Sequence, residues 1–125
     1  MEQQKKTRIE QMLKMMAEEL GETPITMENL AKLNEKIVYE HAANKQFAMS
    51  GDQIPLKYKL LMSLAISAAL GVENCIDTYT KVALRKGISP EEILEAIVLA
   101  RFVKGTTVIS TSTSAMQLVI DHLGK

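Results

Sequence analysis

The segment between Leu60 and Leu70 constrains the fold more than any other part of the sequence. It reads Leu-Leu-Met-Ser-Leu-Ala-Ile-Ser-Ala-Ala-Leu, and it is apolar at nearly every position. Pro55 precedes it and Gly71 follows it, and these residue types favour the start and the end of a helix. The segment is too short to span a bilayer. Because a helix without a polar face must be covered on every side, we expect this helix to be central or to lie in a subunit interface.

Apolar residues recur at helical spacing along the rest of the chain, and no segment alternates with period two over the length of a strand. A chain of 125 residues is long enough for one buried core. The sequence therefore predicts a single all-α domain, residues 1–125, built as a compact bundle of about six helices. The expected helices run from Ile9 to Leu20, from Pro24 to about Phe47, from Pro55 to Gly71, from Glu73 to Lys86, from Pro90 to Gly105 and from about Val108 to Leu123.

The fifth helix has the clearest start in the sequence. Ser89 can cap it, Pro90 fits its first position, and Glu92 stands where a capping box places its acid. Gly105 is expected to end this helix. The run of hydroxyl residues 110–114 is expected to continue the sixth helix, because the apolar period passes through it.

Composition narrows the classes of function. Fifteen basic and fifteen acidic residues cancel, so neither nucleic acid nor an anionic membrane is an expected partner. The residues after Met1 are polar, which argues against a secretory signal, and one cysteine cannot form an intrachain disulfide. We therefore expect a cytoplasmic protein.

The sequence contains eight methionines, which we expect mainly to fill the core. Those on predicted apolar stripes include Met12, Met16, Met62 and Met116, and the alternative is a promiscuous binding groove.

The middle of the chain resembles a known family. Leu60–Ala65, Asn74–Asp77, Gly87 and Ser89–Ile93 follow one another in an order and spacing similar to the core repeat of the carboxymuconolactone decarboxylase and alkylhydroperoxidase D-like family. The likeness extends from Leu56 to about Val119. It implies an all-helical fold, no cofactor, and a homo-oligomer that is a trimer or a hexamer.

The redox motif of that family is mostly replaced in this sequence. The peroxidase branch has two cysteines three residues apart, a histidine four residues after the second, and a glutamate about twelve before the first. Aligned through Gly87, the second cysteine falls on Cys75 and the first on Val72. The histidine position holds Tyr79 and the glutamate position holds Leu60. A two-cysteine peroxide cycle would therefore lack its resolving thiol and its base.

Three side chains are candidates for a site. Cys75 lies near the start of a predicted helix, where the dipole favours a thiolate, although Glu73 and Asp77 oppose this effect. Tyr79 lies one turn further on the same face and could donate a hydrogen bond to the sulfur. His41 lies on the apolar stripe of the second helix and could supply acid–base function. The alternatives are a buried structural cysteine and a partly buried histidine without a chemical role.

Three functions are consistent with these residues. The first is a thiol-dependent, peroxiredoxin-type peroxidase that uses Cys75 alone with an external thiol reductant. The second is a lactone decarboxylase, for which Lys57, Lys59, Arg101 and His41 are candidates by residue type. The third is a non-catalytic oligomer that has kept the family's shape. No group of side chains has the spacing of a metal site, and the acidic residues after Pro90 are better explained by helix capping.

Overall fold

A computed structural model describes residues 7–125, and every regular element in that range is a helix. There are seven of them: α1 Arg8–Leu20, α2 Ile25–Leu33, α3 Glu35–Met49, α4 Leu56–Leu70, α5 Glu73–Arg85, α6 Pro90–Ser110 and α7 Thr113–Leu123. The all-α prediction is confirmed, with one helix more than expected. Within the described range no helix is long and apolar enough to cross a membrane. The prediction about the segment after Met1 lies outside the described residues.

The predicted second helix is in fact two helices, separated at Asn34. This residue is extended (φ −163°, ψ 104°), and its side chain accepts a hydrogen bond from the backbone N–H of Lys36 at 3.1 Å. Asparagine is among the best helix N-caps because its short amide replaces a missing backbone partner. The prediction of one helix from Pro24 to Phe47 was wrong because apolar periodicity continued across this cap.

The boundary between the last two helices also differs from the prediction. Gly105 lies inside α6, and the break falls at Thr111 and Ser112, within the hydroxyl run. The Thr111 hydroxyl donates to the carbonyl of Thr107, and that of Ser112 to the carbonyl of Val108, both at 2.6 Å. The same kind of bond occurs inside the unbroken helix α4, from Ser63 to the carbonyl of Lys59, so these bonds accompany the break and do not by themselves cause it. The expectation that Gly105 ends a helix was wrong. The hydroxyl run is helical at Ser110, Thr113 and Ser114, as predicted, and is interrupted at Thr111 and Ser112.

Helix α4 is the centre of the molecule. It packs against α5 and α6, and its buried face carries Leu60, Leu64 and Ser67. Leu64 is fully buried. The core cluster consists of Leu60, Leu64, Val82, Ala83, Ile88 and Ile93. The central position of this helix is as predicted, but its opposite face is uncovered within the chain: Met62, Ile66 and Leu70 are 47–70% exposed.

A carboxylate in the capping box at the start of α6 links that helix to α4. Ser89 and Glu92 form the predicted capping box, in which each side chain accepts from the other residue's backbone N–H. The Lys57 ammonium on α4 forms an ion pair with the second oxygen of Glu92. The hydrogen bond from Lys57, followed by that from Ser89, lowers the pKa of Glu92. This small network joins two of the three helices that enclose the core.

We expect the Glu92 network to make the free energy of unfolding depend on pH in the acidic range. Because the pKa of Glu92 is lower in the folded chain, the charged carboxylate stabilises the fold at pH values above its ordinary pKa of 4.5. This stabilisation is lost as the pH falls through the lowered pKa. Glu92→Gln keeps the capping geometry but removes the charge, so it should flatten this dependence. Ser89→Ala should cost about 1 kcal/mol at neutral pH. Urea unfolding at pH 7 and pH 3 measures both, and an unchanged acid dependence in Glu92→Gln would contradict the assignment.

Candidate functional site

Two cavities meet along one side of α5. The smaller, which we call the α3–α5 cavity, has a volume of about 460 Å³ and lies between α3, α4 and α5. The larger, which we call the α1–α3 groove, has a volume of about 790 Å³ and is walled chiefly by α1, α2 and α3. Both volumes are typical of ligand sites. The residues shared by both walls are Glu19, His41, Lys45, Met49, Thr78 and Val82.

One stripe of α5 forms a wall of the α3–α5 cavity. This stripe consists of Thr78, Tyr79 and Val82, and Lys86 at the C-cap of α5 continues it along the cavity. Cys75 begins the same stripe one turn earlier, on the first turn of α5, and lines neither cavity. Helical geometry puts Cys75 and Tyr79 on the same face of α5, with β-carbons about 5–6 Å apart.

Cys75 is exposed, so the alternative of a buried structural cysteine was wrong. Its sulfur forms no hydrogen bond with any residue in the described range. Exposure at the first turn of a helix gives a thiol both access to reagents and the favourable end of the dipole. The nearby Glu73 and Asp77 carboxylates oppose the effect of the dipole.

His41 reaches the α3–α5 cavity from α3, opposite the α5 stripe that holds Tyr79. Its side chain is exposed, so the alternative of a partly buried histidine was also wrong. Of the three predicted site residues, the structure brings His41 and Tyr79 into one cavity, and Cys75 does not line it. These two cavity residues come from helices that are separated in sequence by α4.

Two of the three substituted positions of the family motif line this same cavity. Tyr79, at the histidine position, is partly buried and packs against the core cluster. Leu60, at the glutamate position, is 4% exposed and also lines the cavity. Val72, at the first cysteine position, is the residue that precedes α5. The positions aligned with the family's histidine and glutamate therefore line one cavity, and the glutamate position holds a buried hydrocarbon side chain.

The cations proposed for a lactone decarboxylase lie elsewhere. Neither cavity is lined by Lys57, Lys59 or Arg101. Lys57 is held by Glu92, and the Lys59 ammonium donates to the backbone carbonyls of Met49, at 3.0 Å, and Gly51. The structure does not bring these cations together with His41.

Sequence reasoning missed the cations that do line the α3–α5 cavity. Lys45 lies one turn after His41 on α3, and Lys86 lies two turns after Tyr79, at the C-cap of α5. Lys45 is paired with Glu19 at 3.3 Å. Both lysines could have been predicted from the sequence, because each lies at helical spacing from a candidate site residue. In the described range, no cluster of three or more His, Cys, Asp or Glu residues is arranged to hold a metal ion.

Comparison with known proteins identifies the family of the chain. Residues 37–118 match the carboxymuconolactone decarboxylase family, and the chain belongs to it. A stretch of 55 residues is 42% identical to a protein named alkyl hydroperoxide reductase AhpD from Koribacter versatilis (strain Ellin345). That stretch covers 44% of this chain and 28% of the relative, so the chain matches only a minor part of that protein's length.

Proposed function

We propose that this chain is a thiol-dependent peroxidase in which Cys75 alone reduces a small organic hydroperoxide and an external thiol restores it. One observation carries the proposal. Cys75 is exposed on the first turn of α5, immediately before the stripe that lines the α3–α5 cavity. Membership of the family and the likeness to a protein named alkyl hydroperoxide reductase support the same chemistry.

The proposed reaction balances without a second cysteine. The Cys75 thiolate attacks the terminal oxygen of the hydroperoxide, the O–O bond breaks, and the departing alkoxide takes a proton to become an alcohol. Cys75 is oxidised to a sulfenic acid. An external thiol condenses with it to form a mixed disulfide and water, and a second thiol releases Cys75 as an external disulfide forms.

The cavity residues have distinct roles in this scheme. The amino-terminal end of α5 favours the thiolate, although the Glu73 and Asp77 carboxylates nearby reduce that effect. The Tyr79 hydroxyl hydrogen-bonds the departing oxygen and gives it the proton. His41, across the cavity, returns a proton to Tyr79. A cavity of about 460 Å³ accommodates a small organic group beside the peroxide.

One observation favours a second candidate function. Leu60 puts a buried hydrocarbon where the family's peroxidase branch has an acid. A protein that keeps the family fold for assembly, without catalysis, would tolerate that change. The two candidates differ in whether hydroperoxide is consumed.

We expect purified protein with excess small thiol to consume an alkyl hydroperoxide at a rate proportional to protein concentration. Tyr79→Phe should lower kcat about 100-fold, the lower end of a general acid's contribution, with little change in KM. Tyr58→Phe is the matched control, because Tyr58 is 53% exposed and lines neither cavity. No consumption by the folded protein would favour the non-catalytic candidate, and equal effects of the two variants would remove Tyr79 from the scheme.

A further inference from the structure

The isolated chain exposes far more surface than a compact protein of its size. Its accessible area is 10014 Å² for 13.9 kDa. A compact monomer of that mass exposes about 6,700 Å², and six residues of fully extended chain would add only about 1,100 Å². The remaining excess of about 2,200 Å² is well above the roughly 800 Å² that each partner buries in a standard interface. The folded chain therefore presents a surface of the size used by permanent oligomers.

Much of this surface belongs to the C-terminal arm, residues 101–123, which comprises the end of α6 and all of α7. Every residue from 101 to 125 except Ser112 is exposed. No residue of α7 is buried by the rest of the chain. Met116, Val119, Ile120 and Leu123 form one apolar stripe on α7, and they are 45–76% exposed. A stripe of this kind is the part of an amphipathic helix that packs against a partner.

The α1–α3 groove offers a matching surface. Five methionines line it, namely Met12, Met15, Met16, Met27 and Met49. Flexible methionine side chains adapt to an inserted helix, and helix-in-groove docking is a common mode of recognition. An α7 of 11 residues is about 16 Å long and lies well within the length of the 13-residue α1, about 20 Å.

We propose that α7 of a second copy of this chain occupies the α1–α3 groove. The apolar stripe of the arm enters between α1 and α3, and the exposed surface of both copies becomes buried. Because His41 lines both the groove and the α3–α5 cavity, the docked helix also completes one wall of the candidate site. The site is then assembled from two copies, whatever reaction it performs.

Cross-linking between two distinguishable copies tests this arrangement. Two full-length chains with different tags, both in a Cys75→Ser background, are co-expressed, one with Met16→Cys in the groove and the other with Ile120→Cys on the arm. We expect a short bifunctional maleimide to join them into one species that carries both tags. The matched control replaces Met16→Cys with Ile66→Cys on the exposed face of α4. That pair should give no product above background.

Two results would overturn the proposal. The first is absence of the two-tag product while a single chain carrying both cysteines cross-links internally, which would mean that the arm folds onto its own groove. The second is a stronger product from Ile66→Cys than from Met16→Cys, which would place the arm on α4 instead. Neither result bears on whether Cys75 reduces hydroperoxide, because the sulfur is absent from every chain used.

Discussion

Replacing Cys75 with serine should reduce hydroperoxide consumption to the level measured without protein. This is the largest change in activity that we expect, because the chain contains one cysteine and the proposed cycle requires a sulfur that forms and releases a mixed disulfide. Stability should change by no more than about 0.5 kcal/mol, since the side chain is exposed. The measurement is hydroperoxide consumption with excess thiol, with thermal unfolding of the same samples.

A relocated thiol provides the control for position. Cys75→Ser combined with Asp77→Cys returns one exposed thiol to the same helix, but turns it about 200° away from the stripe that leads to Tyr79. We expect this double variant to remain inactive. Activity in Cys75→Ser, or full recovery in the relocated variant, would show that the α3–α5 cavity does not direct the reaction.

Leu64→Ala should produce the largest loss of stability, between about 2 and 5 kcal/mol. Leu64 is 0% exposed and lies on α4 at the centre of the core cluster, so truncation leaves a cavity that α5 and α6 cannot readily close. Such a loss is a large fraction of the stability of a small domain. The matched control is Leu33→Ala, since Leu33 is 83% exposed and should lose no more than about 0.5 kcal/mol.

Urea unfolding of both leucine variants and the parent at one protein concentration gives the comparison. Equal losses at positions 64 and 33 would contradict the assignment of the core.

Local signals in the sequence predicted the fold well. Gly21 and Gly71 end helices in the left-handed conformation (φ 82° and 72°), and Ser89 caps α6, all as predicted. The failures came where two local signals competed. At Asn34 a cap interrupts an unbroken apolar period, and at Gly105 a glycine sits inside a helix without positive φ. Apolar periodicity alone cannot predict whether a helix ends at such a residue, because that depends on which hydrogen-bond partners the backbone finds there.

The candidate site was predictable only along single helices. Helical spacing placed Cys75 and Tyr79 on one stripe of α5, as the structure has them. The meeting of that stripe with His41, and the lysines beside it, depends on how α3 packs against α5, which spacing within a helix does not specify. The exposure of Cys75 is likewise set by packing, which is why the sequence alone left a buried structural cysteine as an alternative.

The most direct test of the central claim is the oxidation of Cys75 itself. Folded protein is treated with limiting alkyl hydroperoxide and then with a reagent that traps sulfenic acids, and the modified peptide is identified by mass spectrometry. We expect trapping at Cys75 before measurable oxidation of the methionines, and slower trapping in Tyr79→Phe. An unmodified Cys75 in protein that remains folded would contradict the proposed function.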